Sequence, residues 1–307
     1  MAARCCLTIW DHRVLVDANM AMLEEFDLDI VQAISDPYRE THDFGAIVEY
    51  PDDDLPMALI PLIAEPEDLY KLKTPDPYTS ERMSDRLEAI CLFREKVGGE
   101  VPIMGWVEGA FAQAADIRGI SNLMVDLYDR PEWVFELLEK CAEVEVAFAK
   151  AQVEAGADII GLGDAIASQV NPKMFRKFAL PYEQRIFDAV HEAGGYGRLH
   201  ICENTNRIVA DMADTHADIV DIDWMVDIDK ATEAFDDKVA LLGNFDPVVV
   251  MMQGTPEDVY NAVTDCLKRG GPRSISGAGC EIPDAAPHEN LRAQAQALHD
   301  YGNGDNS

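Results

Sequence analysis

The chain has 307 residues, 48% of them hydrophobic, and a formal net charge of -32 from 25 basic and 57 acidic side chains. That is apolar material for one α/β barrel of ordinary size or two modest domains. The positive charge is too sparse for a phosphate backbone or an anionic membrane surface. No apolar run approaches the roughly 20 residues of a membrane span. Leu7–Trp10 is too short for a secretory leader and is soon followed by charge, so a cytoplasmic protein is expected. Two readings of the acidic surface stay open: adaptation to high salt, where self-repulsion is screened, or simply an acidic cytosolic enzyme. Seven cysteines, an odd number at irregular spacing, do not make a secreted disulfide framework.

In chain order, Leu28–Ile34 reads as a strand before a Ser-Asp-Pro turn. Residues 43–63 read as an extended excursion, with Phe44–Tyr50 and Met57–Leu62 as strands and no helix between them. From about residue 100, short apolar runs alternate with long helical patterns. The runs are Val101–Trp106, Ala157–Leu162, Arg198–Ile201, Asp218–Ile222, Val239–Leu242 and Arg273–Ser276. Asp129 and Pro131 open a helix that closes near Gly156, and a second runs from Pro172 to Ala193 with a kink at Pro181. Cys91, Cys141 and Cys266 fall within helical patterns and are expected as small buried hydrophobes; Cys5 and Cys6 receive no role. Alternating strand and helix imply βα units on a parallel sheet. The expected architecture is a (β/α)8 TIM-type barrel in a single domain over 1–307, with a frayed tail at 302–307. Seven core strands are visible, so a closed eight-stranded barrel requires one irregular strand or a distorted closure.

Strand after strand ends in a polar or reactive group: Asp36, Trp106 with Glu108, Asp164, His200 with Cys202, Asp221 with Asp223, Asn244 with Asp246, and Cys280. In a barrel these ends converge on the face where active sites are built. His200 and Cys202 share one side of a strand end, because alternate residues face the same way. Cys280 lies 77 intervening residues further on, after the last strand. Two thiolates and an imidazole are a zinc-type set with one coordination position open. A hydrogen-bonded core histidine beside two packing cysteines is the competing reading of the same pattern.

Four segments, Leu199–Asn204, Gly243–Pro247, Gly254–Asp258 and Gly279–Arg292, resemble the uroporphyrinogen decarboxylase superfamily, and within it the zinc-dependent methylcobamide:coenzyme M methyltransferase branch. The resemblance is strongest over residues 100–300 and extends more loosely back to Asp27–Val48. It implies that His200, Cys202 and Cys280 bind zinc. It also implies a methylcorrinoid co-substrate on a separate corrinoid protein, and a small thiol acceptor such as coenzyme M. Glu203 stands where that branch usually carries Gly, and it or Asp223 is a candidate fourth zinc ligand. Asp164, Asp223 and Asn244 are candidates for orienting substrate or supporting ligands, with helix capping as the alternative. Arg198, Arg207 and Arg273 are candidates for the acceptor's sulfonate. The arginine-rich motif of a true uroporphyrinogen decarboxylase is missing near the start, with no Arg-x-x-x-Arg cluster expected in its place. Three alternatives accompany the main reading: demethylation of a methylated thiol, amine or ether onto the corrinoid; a uroporphyrinogen decarboxylase-like activity; and a non-catalytic zinc scaffold.

Overall fold

The computed structural model describes residues 9–51, 56–236 and 238–304. Cys5, Cys6 and the first half of the Leu7–Trp10 stretch lie outside them, as do the last three residues of the tail. All seven anticipated core strands are present: β1 (Val31–Gln32), β4 (Ile103–Glu108), β5 (Ile159–Gly163), β6 (Tyr196–Ile201), β7 (Ile219–Ile222), β8 (Ala240–Leu242) and β9 (Ser274–Ile275). They form one parallel sheet in the order β1-β4-β5-β6-β7-β8-β9. Between β1 and β4 the excursion pairs β2 (Val48–Glu49) antiparallel with β3 (Met57–Ala58), two strands at the expected places but shorter than Phe44–Tyr50 and Met57–Leu62.

Every residue of β4 is buried, as in a strand covered on both faces. Helices Glu81–Val97 and Pro131–Ala155 pack outside it and carry Leu87, Ile90, Phe93, Val134, Leu138 and Phe148 into one continuous core. The eightfold closure is replaced by a distorted one. Among the described residues no ladder joins β9 to β1, and helices His288–Gly302 and His12–Phe26 cross the gap. His288 packs edge-on against Phe26, and Arg292 pairs with Glu25 at 2.8 Å.

The helix Pro131–Ala155 ends at Gly156, whose φ of 117° suits a residue without Cβ. The pattern expected from Pro172 to Ala193 is two helices, Pro172–Phe178 and Leu180–Ala193. Pro181 donates no N–H to the carbonyl four residues earlier, so the chain breaks at Ala179 rather than bending. Cys141 and Cys266 are buried as expected, whereas Cys91 is exposed and reaches the Ala155 carbonyl at 3.6 Å. The core-facing side of Glu81–Val97 includes Arg82 and Arg86, which turns Cys91 outward. Among the described residues no helix is long and apolar enough to cross a membrane.

Candidate metal centre

Strand β6 alternates Leu199 and Ile201 into the fully buried layer with Arg198 and His200 on the partly open side. That side continues to Cys202. His200 Nε2 lies 3.1 Å from Cys202 Sγ, and Cys202 Sγ lies 3.9 Å from Cys280 Sγ. The three donor atoms fall within 4.8 Å of one another. Two thiolates bound at ~2.3 Å to a tetrahedral zinc sit about 3.8 Å apart, so the sulfur spacing fits a shared ion and is far too long for a disulfide.

Cys280 is held by close backbone contacts. Gly279 N–H donates to the Phe245 carbonyl at 2.8 Å, and Phe245 bridges Ala278 in parallel. A Cβ at Gly279 would run into the backbone amide of Trp224, so only glycine lets the Cys280 loop lie against the loop after β7.

Asp221, on β7 in register with His200, sets the imidazole. Its Oδ2 lies 3.1 Å from His200 Nδ1 and also accepts from Arg198. Carboxylate support of this kind fixes the ring so that Nε2 faces a metal. Burial alone would push His200 down, but the Asp221 charge and hydrogen bond outweigh it and raise the imidazole to about 10. Hydrogen bonds from Cys202 and then His200 hold the Cys280 thiol down at about 4. The Cys202 thiol is driven up, first by its bond to Cys280 and then by burial. Without metal the trio is therefore a Cys280 thiolate beside a protonated His200.

The other predicted residues fall around the trio in different roles. Asp223 Oδ2 accepts from the Glu203 N–H at 2.9 Å, and Oδ1 from the Met225 N–H at 2.9 Å, so it ties the loops after β6 and β7 together. Asn244 Nδ2 donates to the carbonyls of Val226 at 2.8 Å and Asp223 at 3.4 Å, clamping the same loop from β8. Neither side chain caps a helix; that task falls to Asp227 and Asp246. Glu203 adopts φ 70°, the left-handed region that favours Gly. Its carboxylate is held by Gln169 and Ser168, away from the donor atoms of the trio. There it borders a cleft of about 500 Å³ lined by Ser168, Gln169, Asn171, Asn204 and Arg207.

Asp164 touches the centre only through its backbone, where its N–H donates to the His200 carbonyl at 3.1 Å. Its side chain is fully buried against Glu183. Burial pushes Asp164 up to about 7 and Glu183 well above the usual carboxylate range.

Sequence reasoning missed a buried ionic network where β1 and β4 end. Arg82 and Arg86 do have the Arg-x-x-x-Arg spacing, but both are buried. Arg82 reaches Asp36 at 2.6 Å, the Tyr50 hydroxyl at 2.9 Å and the Ile9 carbonyl at 3.0 Å. Arg39 spans Glu40 at 3.3 Å and Glu108 at 3.5 Å. These arginines neutralise internal carboxylates and present no cationic face to a ligand. The i,i+4 spacing of Arg82 and Arg86 was the available signal.

The uroporphyrinogen decarboxylase (URO-D) family model matches residues 10–301. A Methanosarcina mazei protein named methylcobamide:CoM methyltransferase MtbA is 36% identical over 237 residues, 76% of this chain and 68% of that protein. A uroporphyrinogen decarboxylase of Chlorobaculum tepidum is 34% identical over 222 residues, 69% of this chain and 62% of its own length. A solved structure described as a methyltransferase from Methanosarcina mazei superposes with a TM-score of 0.89 at 26% identity, covering 96% of this chain and 87% of the other.

Proposed function

The chain belongs to the uroporphyrinogen decarboxylase family, and from that premise we propose that it is a zinc-dependent methyltransferase. It moves a methyl group from a corrinoid, carried on a separate corrinoid protein, to a small thiol such as coenzyme M. The observation that carries this reading is the trio itself: two sulfurs 3.9 Å apart and an imidazole backed by a carboxylate, at the strand ends of the barrel. Decarboxylation has no use for such a set. The buried and internally paired Arg39 and Arg82 likewise argue against a ligand carrying many carboxylates. The MtbA relative, named for a methylcobamide and CoM, supports the same choice over the decarboxylase-like one.

Zinc held by His200, Cys202 and Cys280 would supply Lewis acidity, lowering the pKa of a thiol in the fourth position so that it binds as thiolate. The chain's own residues do the rest. Asp221 orients His200, and His200 and Cys202 give up their protons to bind the metal. With both cysteines ionised they would balance the dication, and a thiol held in the open position would keep a nucleophilic sulfur. The thiol would attack the corrinoid's methyl carbon in line, a carbon–sulfur bond forming as the carbon–cobalt bond breaks and its electron pair leaves with the cobalt of the co-substrate. The Asp223 and Asn244 clamps keep the loops after β6, β7 and β8 in register, and the Cys280 loop packs on the β7 loop at Gly279. The protein works in the cytoplasm and needs neither nucleic acid nor a membrane for this reaction.

The test is incubation of zinc-loaded protein with free methylcobalamin and a panel of thiols. Thiol-dependent loss of methylcobalamin, abolished in Cys280→Ser while folding persists, is the expected result. Absence of thiol-dependent demethylation refutes the reading, as does metal-free turnover of a porphyrinogen. Collapse of the fold in Cys280→Ser would instead mark a structural zinc.

A further inference from the structure

We propose that Arg198 is the residue that recognises an anionic group on the acceptor thiol, making the site selective for negatively charged thiols over neutral ones. The inference deepens the methyltransferase reading and rests on it. Arg198 sits two residues before His200 on β6, on the same partly open side of the strand as His200 and Cys202. Asp221 links the two, accepting from the Arg198 guanidinium and from His200 Nδ1. The cation is therefore two hydrogen bonds from the imidazole, within the span of a short thiol bound beside it.

Its donors are not used up. A guanidinium carries five N–H groups. Asp221 engages Nη2, the Met104 thioether faces Nη1 at 3.3 Å as a weak acceptor, and Nε is buried with no partner. The side chain keeps 19% exposure, so a ligand can reach it. On the neighbouring strand Gly161 is in register with Arg198 and Gly163 with His200, and the space above these glycines holds the Trp106 ring. Trp106 lies across both glycines, and a Cβ at Gly161 would collide with its ring. The Arg198 guanidinium stands 5.8 Å from the centre of that ring.

Electrostatics make such a cation necessary. Carboxylates of Asp221, Asp223 and Glu281 stand close to the trio in a chain of net charge -32, so an anionic thiol enters against repulsion. The other candidates stand elsewhere. Arg273 precedes β9, at the opposite end of the strand from Cys280. Arg207 is exposed and lines the cleft beyond Glu203.

Zinc-loaded protein would be titrated calorimetrically with 2-mercaptoethanesulfonate and with 2-mercaptoethanol, its neutral analogue, and zinc affinity followed by chelator competition. Arg198→Met should weaken binding of the sulfonate roughly ten-fold or more, the size of one lost charge-assisted interaction. Binding of the neutral thiol and of zinc should stay within about three-fold by the same scale. Arg198→Lys should recover part of the selectivity, and Arg207→Met should leave it intact. Equal weakening for both thiols, no weakening, or loss of selectivity in Arg207→Met instead would overturn the role of Arg198 alone. A wild-type, zinc-loaded chain that binds neither thiol would overturn the inference together with the methyltransferase reading.

Discussion

Replacing Asp221 by Asn tests whether the trio is a metal centre with a built support or a chance meeting of three side chains. The side chain is 4% exposed, so the substitution preserves shape and removes only charge and one acceptor. Two effects oppose each other. Asp221 raises His200 to about 10, so metal must displace a proton at neutral pH, and Asn weakens that competition. The same carboxylate also favours the dication, which carries twice the proton's charge, and it holds Nδ1 at 3.1 Å so that Nε2 faces the sulfurs. The second effect should win. Loss of a ligand's carboxylate partner lowers metal affinity ~10- to 100-fold, or about 1.4 to 2.7 kcal/mol. Competition with a coloured chelator at pH 8 measures this directly. Stability of the zinc-free chain should also fall, because the Arg198 cation loses its carboxylate; with Arg198 19% exposed, the loss should lie below the ~3–5 kcal/mol of a fully buried pair. Zinc affinity unchanged within about three-fold, or increased, would refute the support role assigned to Asp221.

Glu203→Gly removes a non-glycine residue from φ 70° at the loss of surface bonds to Gln169 and Ser168, so the melting temperature should rise by about 2 °C; a fall would show that those bonds outweigh the backbone strain. Asp164 is pushed up to about 7 in the folded chain from 3.8, so it binds its proton more tightly folded than unfolded. Its stabilising contribution is complete below about pH 4 and is lost as pH rises through 7. Asp164→Asn with Glu183→Gln should flatten the decline of melting temperature between pH 5 and 8, and parallel slopes for the two proteins would contradict the assignment. The net charge of -32 predicts a melting temperature that climbs from dilute buffer to molar salt, and indifference to salt would exclude self-repulsion as a limit on stability.

The sheet was legible because parallel strands buried on both faces leave a short apolar run, and all seven runs became strands. The opening between β9 and β1 was not, because nothing local distinguishes an edge strand two residues long from a paired one. The trio was legible by type and position at strand ends. Its supports were only partly so: Asp221 and Asp223 were seen as polar strand ends, but which one faces His200 follows from register, and register is a property of two strands at once. Glu203 carried a readable signal, a long side chain where the resemblance led Gly to be expected, and its positive φ is the backbone conformation that favours Gly. The spacing of Arg82 and Arg86 was readable but the partners of the buried arginines were not, because Arg39–Glu108 and Arg82–Asp36 pair across 69 and 46 residues. Buried arginines also distort helical periodicity, which is how Cys91 came to be expected in the core and stands in solvent.

The two cysteines are tied to the barrel by unequal means, and this bears on how the centre can work. Cys202 follows directly from a strand paired on both sides. Cys280 follows a strand only two residues long and is placed by the Phe245–Ala278 bridge, the Gly279 N–H bond to Phe245 O and the close packing of Gly279 on the Trp224 backbone. A metal joining them therefore closes the weakest seam of the sheet, and binding should order the Gly277–Pro283 segment more than any part of β6. Asp223 and Asn244 stand on the intervening strand ends and hold them at a fixed spacing whether or not metal is bound. The geometry thus places the imidazole side of the centre on a strand laddered along both edges, and Cys280 on a loop whose position is set by the close seat of Gly279 against Trp224.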